Sequence, residues 1–343
     1  MAVVLSESTL PPWWQETWRR LQERRRAGTL PHALLIAGAE GMGKSAFAGA
    51  LTAALLCLEP GDDGHACGHC SACRLREAGT HPDLLQVVPE EEGKAIGIGQ
   101  VRAQNAFLAL TRQFDRHKIS LIAPADSMTT AAANALLKTL EEPAAGTLLL
   151  LVSARPAALP ATVRSRCQRI DAQPPAPAVA LRWLREVQPE LGESAELLLT
   201  LAEGAPYRAL TMAAAGSLDA RAQLLADLEA LVRGRAEPVS VAANWLKKRS
   251  VNEALYWLSR FVTDMIRLGL AGGSGNPLNR DRVEILQRWA QRSRPSSLYT
   301  YLDRVEEARR LLAAQVKLND QLLLEGLLAG WATLSEERPA TVA

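Results

Sequence analysis

Gly38-Ala-Glu-Gly-Met-Gly-Lys-Ser45 limits what this chain can fold into more than any other stretch. It fits G-x-x-x-x-G-K-[ST] in full, with an apolar run, HALLIAG (32–38), leading into it and a helical pattern, SAFAGALTAALLC (45–57), leading out. A strand, a glycine-rich loop and a helix in that order are what a phosphate-binding loop requires. Gly38, Gly41 and Gly43 let backbone N–H groups turn inward around phosphate, and the helix N-terminus adds partial positive charge. Lys44 would reach the terminal phosphates, and Ser45 would offer its hydroxyl oxygen to Mg²⁺. The plain alternative is a glycine-rich turn with an incidental Lys-Ser, and the flanking pattern argues against it.

Three more apolar runs follow: LLQVVP (84–89), KISLIA (118–123) and TLLLLVS (147–153). They alternate with helical segments such as TAAANALLKTLEE (130–142). Continuous apolar strands separated by helices imply a parallel sheet covered on both faces, hence an α/β P-loop domain. The proline cluster AQPPAPA (172–178) ends that pattern, and no convincing strand follows it. Helices are expected near 178–187, 194–203, 207–215 and 222–234, then from the capping box Ser250-Val-Asn-Glu253, and last from Asn319 to Thr333. GGSGNP (272–277) reads as a connector. A chain of 343 residues has room for three such parts. They are an α/β domain (1–170), a small helical domain (171–215) and an all-helical domain (216–343). The apolar stripes Leu255, Leu258, Val262, Met265, Ile266 and Leu322, Leu323, Leu327 suit burial either within the last domain or between subunits.

The formal charge of +2 gives no global argument for nucleic acid or a membrane surface. No stretch approaches the roughly 18 apolar residues of a membrane span, and MAVVLSESTLPPWW lacks the build of a signal peptide. The cytoplasm is the expected location. In that compartment Cys57-x9-Cys67-x2-Cys70-x2-Cys73 argues for a metal and against disulfides. Tetrahedral Zn²⁺ takes four soft ligands, and CxxC spacing brings two sulfurs to one ion. His65 and His69 are interleaved, so a Cys₃His set stays open beside Cys₄. Nothing in the pattern leaves a position for water, which makes the site structural. The knuckle (57–73) is inserted between the helix after the phosphate loop and the next strand.

NALLKTLEEP (134–143) and TVRSRCQ (162–168), taken with GMGKSA (41–46) and ACGHCSACRLREAGTHPDLL (66–85), resemble the clamp-loader subunits of bacterial DNA polymerase III, of the AAA+ class. The likeness is greatest to their delta prime branch, and QVKLNDQLLLEGLL (315–328) looks like the final collar helix. The resemblance implies an AAA+ domain with a zinc knuckle, a helical lid and an all-α collar. It also implies a hetero-pentameric ring with gamma/tau and delta subunits, which places a sliding clamp on primed DNA within a polymerase holoenzyme. Delta prime is the stator of such a ring and completes a gamma subunit's ATP site with an arginine.

Against that role, Ala123-Pro124 stand where a hydrolysing relative would carry Asp-Glu. Neither residue can bind metal or take a proton, so ATP or ADP with Mg²⁺ is expected to be held statically if it is held at all. Asp126 lies two residues past the Glu position and is not assigned the missing role; the alternative is a misplaced strand with Asp115 or Asp126 acting. Arg166, in Ser165-Arg-Cys167, matches the family's arginine finger, where a lone arginine would otherwise read as a solvated or helix-capping charge. Ser153 occupies a sensor position, though Ala154-Arg155 replace the usual Thr-Asn. Arg208, in EGAPYRAL, matches the second sensor, its alternative being an ordinary surface arginine. Arg19, Arg20, Arg24, Arg25 and Arg26 read as the solvated face of a helix whose apolar stripe is Trp14, Trp18 and Leu21, with contact to DNA or a partner as the lesser reading. Two competing functions remain. An autonomous P-loop ATPase or kinase, or a gamma/tau-like ATPase subunit, is opposed by Ala123-Pro124. A zinc-dependent nucleic-acid binder is opposed by the near-neutral charge and by a knuckle without flanking Lys/Arg stripes or aromatics.

Overall fold

The structure, a computed structural model, describes residues 10–91, 93–270, 275–314 and 316–334. The GGSGNP connector and the start of the collar-helix motif therefore lie partly outside the described residues. The chain divides into two compact units, Met1–Ala195 with Gly204–Thr211, and Glu196–Glu203 with Met212–Ala343. The segment 171–215, expected as a helical domain of its own, contributes helices to both.

The first unit is built on β1 (Ala33–Ala37), β2 (Leu84–Val87), β3 (Lys118–Ile122), β4 (Thr147–Ser153) and β5 (Gln168–Asp171). All pairs are parallel, in the order β2-β3-β4-β1-β5. Its helices are α1 (Pro12–Arg26), α2 (Lys44–Leu56), α3 (Ser71–Glu77), α4 (Ile98–Leu108), α5 (Thr130–Glu141), α6 (Ala161–Arg164) and α7 (Pro177–Val187). α8 (Ser194–Leu201) and α9 (Pro206–Ala214) are shared between the units.

Strand alternation sends Leu34 and Ile36 to one face, where Phe47, Leu51, Trp14 and Trp18 cover them. Leu35 and Leu149 point to the other, against Val101, Leu136 and Val163. Burial on both faces explains why β1, β3 and β4 read as apolar runs, whereas β2, at the far edge, buries only Val87. β5 escapes that pattern. Only Ile170 is buried among Gln168-Arg-Ile-Asp171, because β5 is the edge strand beside β1.

A buried ion pair fastens β3. Lys118 Nζ lies 3.1 Å from Asp83 Oδ1 with both side chains all but inaccessible. Asp83 also accepts N–H bonds from Gln113 and Phe114, and Lys118 sits 4.3 Å from the centre of the Phe107 ring.

The second unit adds α10 (Ser217–Val232), α11 (Pro238–Leu246), α12 (Val251–Leu270), α13 (Val283–Arg292), α14 (Pro295–Ala313) and α15 (Asp320–Leu334). Ser250 caps α12 as expected, accepting from Glu253 N–H at 3.3 Å; the Glu253 carboxylate turns instead towards Arg249, at 3.5 Å. Leu255, Leu258, Val262, Met265 and Leu327 are buried inside this unit, whereas Leu322 is 66% exposed. Buried Asp264 accepts from the N–H groups of Leu278 and Asn279 and from the Asn279 side chain, which in turn accepts from Arg221. That chain of bonds holds the segment before α13 against α12 and α10. No helix among the described residues is long and apolar enough to cross a membrane.

Candidate functional site

The phosphate loop joins the C-terminal end of β1 to α2. Gly41 and Gly43 both take φ of +80° and Gly38 takes +144°, conformations closed to most side chains. Gly43 caps α2 with Lys44 as the helix's first residue. The loop is braced from below, since Trp13 and Trp14 both donate their indole N–H to the Met42 carbonyl, at 3.1 and 2.9 Å. Trp14 then stacks on Phe47 of α2.

Lys44 is buried and donates to the loop's own Ala39 carbonyl at 2.6 Å. Burial pulls its ammonium below the ordinary value, against the opposing charges of Glu40 and Asp126. Ser45 stands exposed in the first turn of α2.

The first turn of α9 rests on this loop. Tyr207 N–H donates to the Gly41 carbonyl at 3.0 Å. A Cβ on Gly43 would lie 2.4 Å from the Tyr207 ring, and one on Gly41 would lie 2.4 Å from Arg208 Cβ. Both glycines are thus needed for close approach as well as for φ. Tyr207 also packs against Trp183 and Trp13, and burial pushes its phenol up to about 12.

At the end of β3 the peptide Ala123–Pro124 is cis, and no acid follows until Asp126 in a short 3₁₀ turn. Asp126 is fully engaged. Its Oδ1 accepts from Ser153 Oγ (2.8 Å) and Ala154 N–H (3.0 Å), and its Oδ2 from Arg155 Nε (3.1 Å). Burial pushes this carboxyl up, but those three donors outweigh it and hold the group below the usual carboxylate range. Ser153, the expected sensor, is completely buried and donates to Asp126.

Arg166 lies between α6 and β5 on the exposed surface. Its Nη2 meets Glu141 Oε1 at 2.6 Å and its Nη1 donates to the Thr162 carbonyl. Neighbouring Cys167 is buried, its thiol pushed up to about 11 by burial.

Cys57, Cys67, Cys70 and Cys73 bring their four sulfurs within 4.8 Å of one another. The Cys57–Cys70 and Cys67–Cys73 separations are 3.9 and 4.0 Å. A tetrahedron with Zn–S bonds of about 2.3 Å has edges of about 3.8 Å, so the cluster fits one ion. Backbone N–H groups of Cys67, Cys70 and Cys73 point at the sulfurs of Cys57, Cys67 and Cys70, as thiolate ligands require. His65 stacks on Trp18 instead, and His69 groups only with Glu59 and Cys67.

A parallel P-loop sheet with a four-cysteine cluster between α2 and β2 defines the class. A family model described as "DNA polymerase III, delta subunit" matches residues 13–176, and one described as "DNA polymerase III, delta subunit, C terminal" matches 215–333. The chain is 36% identical to the DNA polymerase III subunit delta' of Pseudomonas aeruginosa, covering 94% of this chain and 97% of that one. It is 35% identical to the subunit delta' of Escherichia coli, over 92% and 93% of the two chains. This chain belongs to the family of DNA polymerase III delta' subunits.

Sequence reasoning missed Tyr207, Glu141 and the partners of Asp126. Tyr207 was visible only as the residue before Arg208. The Asp126–Ser153 and Arg166–Glu141 pairs bridge segments that are distant in sequence.

Proposed function

We propose that this chain is the stator of a clamp-loader ring that places a sliding clamp on primed DNA. It holds ATP or ADP at most statically and acts on hydrolysis only through Arg166, projected into the ATP site of a gamma/tau neighbour. The observation that carries this reading is the end of β3. Ala123-Pro124 offer no carboxylate for Mg²⁺ or water, and Asp126 is bonded to Ser153, Ala154 and Arg155. The loop itself suits phosphate: Gly38, Gly41 and Gly43 shape the cradle, Lys44 supplies charge and Ser45 a hydroxyl for Mg²⁺. What is missing is hydrolytic machinery.

Exposed Arg166 has the reach for action in trans, and its Glu141 contact is a surface pair readily exchanged for a phosphate. Such fingers contribute about 10³–10⁵ in rate. Arg208, packed beside Gly41, takes the second sensor's place, while Ser153 has no free hydroxyl hydrogen for sensing. Zn²⁺ on Cys57, Cys67, Cys70 and Cys73 serves as a structural knuckle. Residues 171–215 act as lid and 216–343 as collar, meeting the gamma/tau and delta subunits in the cytoplasm.

The test reconstitutes the complex from this chain with gamma and delta subunits. Arg166→Ala should fold and assemble normally while lowering DNA-stimulated ATPase of the complex by about 10³-fold or more at the affected site. Unchanged ATPase would remove the finger role. Turnover by the isolated chain at the rate of an active gamma subunit, lost in Lys44→Ala, would instead favour an autonomous ATPase.

A further inference from the structure

β1, β3 and β4 are parallel, so Pro31-His32, His117 and Gly146-Thr147 all stand at the end of the sheet opposite the phosphate loop. They line a recess of about 350 Å³ together with Arg25 and Pro143. Arg112 lies beside it, since a Cβ on Gly146 would lie 2.3 Å from its Nη1. Arg112 donates to the Arg116 carbonyl at 2.6 Å, Arg116 to the Leu58 carbonyl, and Arg26 to the Asp62 carbonyl on the knuckle. Arg25 donates to the Gln22 amide oxygen at 3.1 Å.

None of these four guanidiniums closes on a carboxylate among the described residues. Elsewhere in the chain arginines do pair: Arg19 with Glu16 and Glu23, Arg155 with Asp126, Arg169 with Asp171, Arg309 with Glu306. Each of the four keeps further N–H donors of its fork unused. Burial holds His117 below its ordinary value, and Arg25, Arg112 and Arg116 push in the same direction, which marks how closely they gather. The negative end of the α1 dipole accounts for Arg24, Arg25 and Arg26 in its last turn. It does not account for Arg112 and Arg116, which arrive from a different segment.

We propose that the arginine cluster at this recess, Arg25 and Arg26 of α1 with Arg112 and Arg116 of the segment before β3, binds the phosphate backbone of a nucleic acid independently of the phosphate loop. Guanidinium forks match phosphate oxygens in pairs, and a site that reads only the backbone needs no base contacts. One free phosphate would be satisfied by two guanidiniums. Two groups on separate elements suit phosphates in series.

The test follows anisotropy of a labelled single-stranded oligonucleotide and of its duplex with the full-length chain over a potassium chloride series. Binding should weaken steeply with salt. Arg26→Glu/Arg112→Glu, both exposed, should lower affinity at least tenfold and flatten the duplex salt slope by about 1.8, the release expected for two lost phosphate contacts. Arg26→Lys/Arg112→Lys should keep most of the slope, which separates charge from fold. Unaltered metal content and melting temperature in the glutamate variant verify that it is folded. The proposal fails if the wild-type chain binds neither oligonucleotide at low salt. It fails if the glutamate variant retains both affinity and slope, or if polyglutamate displaces the oligonucleotide as well as unlabelled DNA does.

Discussion

Where β1, β3 and β4 end, Lys44 is bonded to Ala39, Asp126 to Ser153, Ala154 and Arg155, and the Gly41 carbonyl to the Tyr207 N–H of α9. Where the same strands begin, Arg25, Arg26, Arg112 and Arg116 meet only neutral oxygens among the described residues. One end of the sheet keeps the architecture of nucleotide chemistry with its polar groups satisfied internally. The other has no inherited motif yet leaves positive charge available. The contrast teaches that a recognisable motif and an available binding group need not coincide.

The largest expected effect concerns what supports the arginine end. Arg26 and Arg116 hold carbonyls of the knuckle, and Trp18 donates to Asp63 there while stacking on His65. The chain should carry one zinc. Structural zinc sites supply about 10–16 kcal/mol, so chelation should melt the knuckle and change Trp18 fluorescence. An unaltered emission spectrum and melting curve after verified metal removal would break the link between knuckle and recess.

Next in size is the buried pair near that end. Asp83→Ala leaves Lys118 charged without a partner and should cost about 3–5 kcal/mol in denaturant unfolding. Asp83→Ala/Lys118→Met should recover much of it. Burial pushes the Asp83 carboxyl up, but the Phe114 and Gln113 N–H groups and Lys118 outweigh it, so the folded value is depressed. Its contribution is therefore present above the unfolded value of about 3.9 and lost as pH falls through the lower folded one. Stability of the wild type should drop in that acidic window more than that of the double variant.

The opposite end gives smaller effects. Ser153→Ala deletes one of three donors to the Asp126 carboxylate and should cost about 1.5–3 kcal/mol, measured by urea unfolding. A loss several times larger would show that the strand end depends on that single bond. Tyr207→Ala removes the ring packed on Gly43 and should raise affinity for a fluorescent ADP analogue about tenfold, or about 1.4 kcal/mol. Equal or weaker binding would mean that α9 does not restrict the loop.

Much of this was legible in order along the chain. The phosphate loop, four of five strands and the cysteine cluster are local patterns, each written in consecutive or closely spaced residues. β5 was not: like β2 it is an edge strand with one buried residue, but Gln168, Arg169 and Asp171 surround Ile170 where apolar leucines flank Gln86 in β2. The inward face of α15 was only partly legible: Leu327 is buried, while Leu322 points outward and Leu324, Leu328 and Trp331 join the core. The arginine recess was hidden for a different reason. Net charge of +2 averages over the whole chain, and the arginines lie on α1 and in the loop before β3, gathered only by the fold. The offset of Asp126 was visible in the sequence, but its three donors sit at the end of another strand.

The indoles under the phosphate loop have a practical consequence. Trp13 and Trp14 share the Met42 carbonyl, and Trp13 with Trp183 flanks Tyr207. Any nucleotide that shifts Met42 or lifts α9 alters the polarity and packing around these chromophores. Intrinsic tryptophan emission would therefore report a nucleotide in the loop without a label.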